Sequence, residues 1–503
     1  MGEPFYITTA ISYPNGRPHI GHAYEAIAAD VIARFQRAQG RDVRFQTGTD
    51  EHGLKMAQAA RAEGVEPREF ADRMSLLFKE MCDTLNVSYD RFIRTSQPDH
   101  YRASQAIWSA MEERGDLYLD RYEGWYSVRD EAYYEPDELS SAEDGSKLSP
   151  QGTPVEWTVE ESWFFRLSKY QQPLLDHYAA HPEFIQPETR RNEVVRFVEG
   201  GLKDLSISRT SFDWGVPVPG SDSHVMYVWL DALTNYITRL GYPYETELWR
   251  PYWPANVHLI GKDVVRFHAV YWPAFLMSAG LVLPKQVYGH GFLLSRGEKM
   301  SKSIGNVVDP LVLAETFGVD ALRYFLLREV TFGQDGSYSA EAIVNRCNAE
   351  LANSFGNLAQ RTLSMIFKNL DGILPEAGQA GDDTQLLALV DAVTGQEMPE
   401  AFERYAFSLG LEAWMRGVFA CNQYVDAQAP WALRKTDPER MAAVLGTLVA
   451  AVRKLTVAIA PIIPASADKL LTMIDAGQGG VPIAQPVPLF PRLELPADEE
   501  AAA

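Results

Sequence analysis

The chain has 503 residues, of which 46% are apolar and 22% charged, a composition typical of a soluble globular protein. This length exceeds what one hydrophobic core supports, and it predicts roughly two to four domains. The formal charge of −21 at pH 7 excludes a generally basic surface, although a few local cationic and aromatic positions could still bind RNA.

Neither a secreted nor a membrane protein is expected. Three cysteines, Cys82, Cys347 and Cys421, are too few and too scattered for a disulfide framework. No run of about 18 apolar residues occurs, and the first residues lack the basic and then apolar pattern of a signal peptide. We therefore expect a cytoplasmic protein without a membrane partner.

The first predicted elements are a buried strand over residues 5–11, a turn and a helix with apolar residues at helical spacing. His19 and His22 fall at the start of that helix, where free backbone N–H groups and the helix dipole attract phosphate. These histidines belong to the tetrapeptide His19-Ile20-Gly21-His22, called the HIGH string below. Taken alone, it could equally be a chance tetrapeptide with one exposed and one packed histidine.

A second strand, loop and helix follow directly, with the strand at 43–47 and the loop at 48–53. Two such units of this length predict a parallel pair with a right-handed crossover, and hence a doubly wound α/β sheet. Both loops would lie at the carboxyl ends of the strands, where ligands bind in such sheets.

Aromatic-rich short strands and two helical stretches interrupt this pattern between about residue 115 and residue 220. Strands are predicted again at 225–231, 257–260 and 287–288. From about residue 341 to residue 475 the pattern is largely helical. The sheet-forming sequence is therefore expected to be split by an insertion.

A second basic string, Lys299-Met300-Ser301-Lys302-Ser303, lies between the last predicted strand and the helical region. It predicts a basic loop able to close on a polyphosphate, although alone it could be a solvated surface turn. The presence of the HIGH string favours the phosphate-binding loop over the surface turn.

With both strings and the stretches between them, the chain resembles a class I aminoacyl-tRNA synthetase, and within that class the methionyl-tRNA synthetases of bacterial type. The likeness runs from about residue 5 to about residue 431. It implies a Rossmann-like, doubly wound parallel catalytic domain split by a connective insertion, followed by an all-α anticodon-binding helix bundle. The expected parts are 1–115 and 221–295 for the two catalytic halves, 116–220 for the insertion with a zinc-less knuckle, 296–340 for the KMSKS loop and stem-contact region, and 341–503 for the anticodon-binding domain with its tail.

The resemblance implies a methionine–tRNA ligase that uses ATP and Mg²⁺. L-methionine would form methionyl-adenylate with release of pyrophosphate, and the 3′ terminal ribose of tRNA(Met), including the initiator, would then take the methionyl group. The implied catalytic residues are His19, His22, Lys299 and Lys302. The implied ATP-binding residues are His19, Gly21, His22, Gly261, Asp263, Lys299, Ser301 and Lys302. Asp263 could also simply cap a helix beginning at Val264, and the two roles can coexist.

For the amino acid, the resemblance places Asp50 at the ammonium group. The implied methionine-binding residues are Ile11, Tyr13, Asp50, Arg209, Trp229, Ala232, Leu233, Tyr236, Val264 and His268. Without the resemblance, each has an ordinary structural interpretation: Asp50 as a turn aspartate, the helical stripe from Trp229 to Tyr236 as plain core, His268 as a satisfied buried histidine, and Arg209 as part of an exposed salt bridge.

For the tRNA, the matching anticodon-binding residues are Asn357, Arg361 and Trp431. Amide and guanidinium groups can bind base edges, and an indole can stack on an unpaired base. Taken alone, Asn357 and Arg361 would form a solvated helix face, and Trp431 after a proline would be core.

One departure from the family concerns zinc. Many relatives carry cysteine pairs in the knuckle, whereas here the equivalent stretches are 126–130 and 147–152 without cysteine. A structural zinc site needs four Cys or His ligands, so we expect no zinc and a knuckle held by hydrogen bonds and aromatic residues. We also expect a monomer, because the sequence ends without the extra C-terminal domain of some relatives.

Two alternatives to the ligase remain at this stage. A class I synthetase for another aliphatic amino acid is disfavoured by the lack of a large editing insertion and by Trp431. A non-catalytic tRNA-binding relative is disfavoured by the intact histidines and lysines of both strings.

Overall fold

The computed structural model describes residues 2–130, 132–142, 144–295, 298–299 and 307–496. These residues form two compact units. The first comprises residues up to 18, 36–83 and 88–290, and the second comprises 19–35, 84–87 and the described residues from 291 onward.

The first unit contains a six-stranded sheet in which every pair of neighbouring strands is parallel. In spatial order the strands are Arg91–Arg94, Asp42–Thr49, Pro4–Thr9, Val257–Gly261, Val287–His290 and Ile185–Gln186. From Pro4–Thr9 the chain continues to one neighbour, Asp42–Thr49, and only much later to the other, Val257–Gly261. This is the switch point at which a doubly wound sheet binds ligands, and the predicted α/β architecture is confirmed.

Helices surround this sheet and a smaller antiparallel sheet follows. The α-helices of the first unit are Leu54–Glu63, Pro67–Thr84, Pro98–Glu113, Gln171–Ala180, Glu188–Glu199, Val228–Thr238, Trp249–Tyr252 and Trp272–Ser278. Short 3-10 helices occur at Leu167–Tyr170 and Lys262–Val264, and a π-helical turn occurs at Phe267–Tyr271. The antiparallel sheet has the order Leu205–Ser206, Glu156–Phe165, Leu117–Ser127 and Ala132–Tyr134. Two short pairs join Ser140–Ser141 to Lys147–Leu148 and Ser208–Arg209 to Val225–Met226.

The strand predicted over 225–231 is wrong beyond Met226. Tyr227 adopts an extended conformation as N-cap, and the helix Val228–Thr238 begins there. The physical reason is the apolar spacing from Trp229 to Tyr236, which buries one side of a helix but would place alternate residues of a strand on opposite faces.

The insertion contains a compact group of polar side chains close to its tip. Asp130 Oδ2 accepts hydrogen bonds from Ser149 Oγ at 2.6 Å, Thr153 Oγ1 at 2.5 Å and Tyr134 OH at 3.0 Å. Ser127 Oγ lies 2.6 Å from Thr153 Oγ1, and the three hydroxyl residues Ser127, Ser149 and Thr153 are buried. Side-chain hydrogen bonds therefore join the two halves of the knuckle.

The second unit is mainly helical. Helix Ile20–Ala38 belongs to this unit up to Phe35. The other α-helices of the unit are Pro310–Phe317, Val319–Glu329, Ala340–Cys347, Asn357–Asn369, Gly381–Ala392, Met398–Glu403, Phe407–Gln428, Pro430–Thr436, Pro438–Ile459 and Pro464–Ala476. Asn348–Gly356 and Val393–Glu397 are π-helical, and Gln478–Gly480 forms a 3-10 turn. A small sheet pairs Leu293–Ser295 with Glu298–Lys299 and Gly336–Tyr338.

The centre of this unit is both apolar and tightly hydrogen-bonded. Helix Pro438–Ile459 has the length and hydropathy of a membrane span, and 61% of its most apolar stretch is buried inside the protein, as in a core helix. Arg323 is fully buried and donates to Asp30 Oδ2 at 2.6 Å and to the carbonyl of Ile462 at 2.9 Å. Its guanidinium thus fastens helix Ile20–Ala38 to the later helices of the unit.

Candidate functional site

The segment 48–53, predicted as a loop, begins with the last two residues of strand Asp42–Thr49 and presents a buried carboxylate at the end of that strand. Gly48 is required there, because a Cβ at this position would lie 2.0 Å from the carbonyl oxygen of Ile93 on the next strand. The backbone N–H of Asp50 donates to the carbonyl of Ser12 at 2.9 Å, which ties the loop to the segment after the first strand. Asp50 is buried, unlike an ordinary turn aspartate.

Helix Val228–Thr238 carries the predicted apolar stripe. Ala232, Leu233 and Tyr236 are buried, and Trp229 is partly buried. The Trp229 indole stacks on Phe267 with ring centroids 3.6 Å apart and planes 6° from parallel. The stripe therefore meets an aromatic wall from a different segment of the chain.

Tyr236 and His268 form a directed hydrogen bond. His268 Nδ1 lies 2.9 Å from the carbonyl of Val264, an acceptor only, so Nδ1 carries the proton and Nε2 accepts from the Tyr236 hydroxyl at 2.6 Å. Burial lowers the pKa of His268 to about 4. At neutral pH this pair is uncharged, and both nitrogens of His268 are satisfied.

His258 adds a second neutral ring to this wall. It stacks on Tyr236 with centroids 4.1 Å apart, and its Nδ1 lies 2.7 Å from Thr8 Oγ1. Burial, assisted by the nearby His268, lowers the pKa of His258 well below its usual value. Its buried Nε2 has no hydrogen-bond partner among the described residues. The surroundings of Tyr236 are thus aromatic and uncharged.

Arg209 is buried and does not form the exposed salt bridge that its sequence context allowed. One of its terminal nitrogens donates to Ser206 Oγ at 2.8 Å and to the carbonyl of Ser208 at 2.6 Å. The guanidinium carbon lies 4.4 Å from the ring centroid of Tyr227, a cation–π geometry.

The other residues of the first unit that are predicted to bind methionine or ATP follow the carboxyl ends of strands. Ile11 and Tyr13 are partly buried, and the Tyr13 hydroxyl donates to the carbonyl of His52 at 2.8 Å. Asp263 is exposed within the 3-10 turn Lys262–Val264. Gly261, not Asp263, is the N-cap of that turn, so the alternative capping role of Asp263 is wrong.

His19 and His22 lie at the N-terminus of helix Ile20–Ala38 in the second unit. The His19 N–H donates to His22 Nδ1 at 3.1 Å, and the Gly21 N–H donates to His19 Nδ1 at 3.1 Å. The two ring centroids are 3.8 Å apart. Because both Nδ1 atoms accept, each neutral ring carries its proton on Nε2, which is then a donor.

The second basic string is only partly described. Lys299 belongs to the short strand Glu298–Lys299, whose backbone pairs with Leu294. The predicted residues Ser301 and Lys302, with Met300 and Ser303, lie outside the described residues, as does the side chain of Lys299.

The predicted anticodon-binding residues lie on helices of the second unit. Arg361 donates to Asp426 Oδ1 at 3.4 Å, and its guanidinium carbon is 5.7 Å from the ring centroid of Trp431. Asn357 is exposed and donates to the carbonyl of Asn353 at 3.2 Å. Trp431 is 51% exposed, so the interpretation of this tryptophan as core is wrong.

One group of buried ionisable side chains was not predicted from the sequence: Asp231 on helix Val228–Thr238, His52 on the loop 48–53 and His100 on helix Pro98–Glu113. Asp231 Oδ2 lies 2.6 Å from His52 Nδ1, and Asp231 Oδ1 lies 2.6 Å from His100 Nε2. The available signal was a second helical stripe, because Asp231, Asn235 and Thr238 recur on the side of helix Val228–Thr238 away from Trp229. Among the residues that the structure describes, no three or more His, Cys, Asp or Glu side chains are placed to hold a metal ion.

Comparisons with known proteins agree with these features along the whole chain. Residues 5–363 match the family model of class I (M) tRNA synthetases, and residues 374–485 match that of the anticodon-binding domain of methionyl-tRNA ligase. A methionine–tRNA ligase of Brucella suis is 58% identical over 513 residues, which cover 99% of each chain. One from Rhizobium meliloti is 56% identical and covers 98% of this chain and 99% of its own.

A solved structure extends the likeness to three dimensions. The methionyl-tRNA synthetase of Mycobacterium tuberculosis in complex with methionyl-adenylate superposes with a TM-score of 0.94 at 54% identity, over 97% of this chain and all of the other. Sequence and fold thus match over nearly the full length. The chain belongs to the methionyl-tRNA synthetase family of class I tRNA synthetases.

Proposed function

We propose that the chain activates L-methionine with ATP to methionyl-adenylate and pyrophosphate, and then transfers the methionyl group to the 3′ terminal ribose of tRNA(Met), including the initiator. The observation that supports this most is the match to methionine–tRNA ligases over 99% of the chain. The neutral Tyr236–His268 pair and the buried carboxylate of Asp50 agree with the chemistry of the amino acid.

Methionine presents an ammonium group and a polarizable thioether. Asp50 supplies the negative charge for the ammonium, and Arg209 supports the nearby wall through Tyr227. Aromatic edges and uncharged donors favour a thioether over a charged side chain. The residues assigned to the pocket are Ile11, Tyr13, Asp50, Arg209, Trp229, Ala232, Leu233, Tyr236, Val264 and His268.

Adenylation requires that ATP be positioned and that charge on its phosphates be stabilised as the methionine carboxylate attacks the α-phosphorus. The Nε2–H groups of His19 and His22, next to the helix N-terminus, suit an anion. Lys299 and Lys302 would neutralise the β- and γ-phosphates, and the Ser301 hydroxyl would donate a hydrogen bond to ATP. Gly21 and Gly261 would allow close approach, and Asp263 would accept from the ribose. We expect Mg²⁺ to accompany the phosphates and share their charge.

The activity is tested by methionine-dependent pyrophosphate exchange with purified protein. We expect exchange with methionine and ATP, and little with leucine, isoleucine or valine as control amino acids. Exchange with none of these amino acids, or with another one alone, would contradict the proposal.

The tRNA assignment concerns Asn357, Arg361 and Trp431. An exposed indole beside a guanidinium is suited to stacking on an unpaired base. Trp431→Ala should lower aminoacylation by about tenfold or more, since a stacked base contributes roughly 1–3 kcal/mol, while pyrophosphate exchange stays unchanged. Trp157→Ala is a matched control, because Trp157 is also exposed, at 52%, but lies in the insertion. Equal loss of both activities in Trp431→Ala would indicate a folding role instead.

The division into parts and the cellular setting remain predictions. We assign residues 1–115 and 221–295 to catalysis, 116–220 to the insertion, 296–340 to the KMSKS and stem-contact region, and 341–503 to anticodon binding. A cytoplasmic monomer is expected, and size-exclusion chromatography with light scattering measures the oligomeric state.

A further inference from the structure

Three ionisable residues of the first unit have no role in the proposed chemistry, although all three are almost completely buried: His52, His100 and Asp231. Burial opposes the ionisation of Asp231, but attraction to His52 and hydrogen bonds from both histidines outweigh it and lower the pKa to about 2. A buried carboxylate is costly unless it is paired, and here each of its two oxygens is paired with a histidine.

The two sides of helix Val228–Thr238 differ in character. One side carries Trp229 and Tyr236 of the proposed methionine pocket, and the other carries Asp231. Asp231 lies 2.6 Å from His52 on the loop 48–53 and 2.6 Å from His100 on helix Pro98–Glu113. A single carboxylate therefore joins three separate segments.

The histidines are themselves held in place. His52 Nε2 lies 3.0 Å from the Tyr101 hydroxyl, and burial followed by the charge of Asp231 raises the pKa of Tyr101 to about 12, so this hydroxyl keeps its proton and can donate. Because the Asp231 carboxylate only accepts, His52 Nδ1 donates to it, while Nε2 shares a hydrogen bond with the Tyr101 hydroxyl. On its other side, His100 Nδ1 lies 3.0 Å from Thr238 Oγ1, at the end of the pocket helix.

His52 is two residues from Asp50, and Asp231 is little more than one helical turn from Tyr236. We propose that Asp231, with His52 and His100, is a positioning group that fixes the separation between Asp50 and Tyr236 and thereby sets the length of the amino-acid side chain that is accepted. This inference rests on the proposed function, which assigns the ammonium group to Asp50 and the side chain to the Tyr236 wall. Asp231 acts through the loop and the helix and does not itself touch the amino acid.

The test compares His52→Ala with His52→Asn. The asparagine amide nitrogen can occupy the place of Nδ1 and still donate to Asp231, whereas alanine leaves that carboxylate without its partner on the loop. Pyrophosphate exchange is measured with methionine and with ethionine, which is one methylene longer. A pocket of fixed length distinguishes one methylene by roughly 10- to 200-fold.

In His52→Ala we expect the KM for methionine to rise about tenfold, because a hydrogen bond to a charged group is lost, while the KM for ATP changes little. The ratio of kcat/KM for methionine to that for ethionine should fall by at least about fivefold. His52→Asn should restore most of this ratio. If both amino acids lose activity in equal proportion, or if asparagine restores nothing, the positioning role is wrong.

Three further proteins make the outcome decisive. Asp116→Asn is the matched control, since Asp116 is another buried carboxylate of this unit but bonds Lys169, Tyr170 and Ser278. It should lower thermal stability without changing the methionine to ethionine ratio, and an equal change there would overturn the inference. If His52→Ala does not fold, Asp231→Asn is measured in the same way. The unmodified protein separates the two hypotheses, because absence of methionine-dependent exchange in it refutes the proposed function itself.

Discussion

At the scale of single residues, the direction of a hydrogen bond decides what the site can bind. His268 has its proton on Nδ1 because the Val264 carbonyl only accepts, and Nε2 is therefore left to accept from Tyr236. The Tyr236 hydroxyl proton is thus used inside the protein. Such a pair offers no charge to a substrate, which suits an uncharged side chain.

Tyr236→Phe tests this pair. The substitution removes the hydroxyl and leaves the buried Nε2 of His268 without a donor, which should lower the free energy of unfolding by about 1–3 kcal/mol. We expect the KM for methionine in pyrophosphate exchange to rise by about tenfold. Tyr178→Phe is a suitable control, because the Tyr178 hydroxyl is also buried and donates to the carbonyl of Ala269 at 2.6 Å. A similar rise in KM in both variants would argue against a pocket role.

The same burial predicts how stability depends on pH. His258 and His268 remain neutral in the folded protein because burial lowers both pKa values, to about 4 for His268. In the unfolded chain a histidine takes up a proton below about pH 6.5, so the free energy of unfolding should fall as the pH drops from 6.5 towards 4. Each histidine should contribute about 1.4 kcal/mol per pH unit.

Urea unfolding at a series of pH values measures this slope. His268→Gln removes one of the two titrating groups and should reduce the slope by about 1.4 kcal/mol per pH unit between pH 6 and 4.5. The same slope in the variant and the unmodified protein would refute the assignment.

At the scale of elements, side-chain hydrogen bonds to one carboxylate join the segments at the tip of the insertion. Three side-chain hydroxyls, those of Tyr134, Ser149 and Thr153, converge on the carboxylate of Asp130. A carboxylate that accepts several hydrogen bonds fixes the relative position of the segments that donate them. The tip of the insertion is thus ordered by hydrogen bonds, as its lack of cysteine pairs predicted.

Asp130→Ala should open this region locally. Removal of the common acceptor leaves the buried hydroxyls of Ser149 and Thr153 only their hydrogen bonds to each other and to Ser127. We expect amide hydrogen exchange over 127–130 and 147–153 to accelerate by about tenfold or more. Exchange in the central strand Val257–Gly261 should not change and is the internal control. Uniform acceleration across the first unit would instead indicate global destabilisation.

At the scale of the whole molecule, the charge of −21 limits how RNA can bind. A chain this acidic repels polyanions except where cations are concentrated, so we expect about three or four phosphate contacts with tRNA. The logarithm of the association constant should then fall with the logarithm of salt concentration with a slope of about −3. Binding of tRNA(Met) measured across a series of KCl concentrations gives this slope, with a tRNA of different anticodon as control. A slope near −8 would refute a local contact surface.

Much of the molecule could be predicted from its sequence. The parallel sheet followed from strand, loop and helix repeats, because the carboxyl ends of such strands must share one edge. The HIGH string at a helix start and the helical C-terminal region followed from local spacing. The family followed from motifs that are contiguous in the chain.

The remainder depended on contacts between distant segments. The length of the strand at Val225–Met226, the burial of Arg209 and the exposure of Trp431 could not be deduced locally, since burial depends on what packs against a side chain. The hydrogen bonds of Asp231 join residues more than 100 positions apart.

The sequence by itself therefore determined the fold class, the family and the positions of the conspicuous motifs, because each is encoded in periodicity or in a short contiguous string. Only the tertiary structure decided which way the Tyr236–His268 bond runs, that Asp130 holds the insertion tip, and that Asp231 links Asp50's loop to the pocket helix. The physical reason is that hydrogen-bond direction and burial are properties of a residue's neighbours in space, and a single sequence does not specify those neighbours.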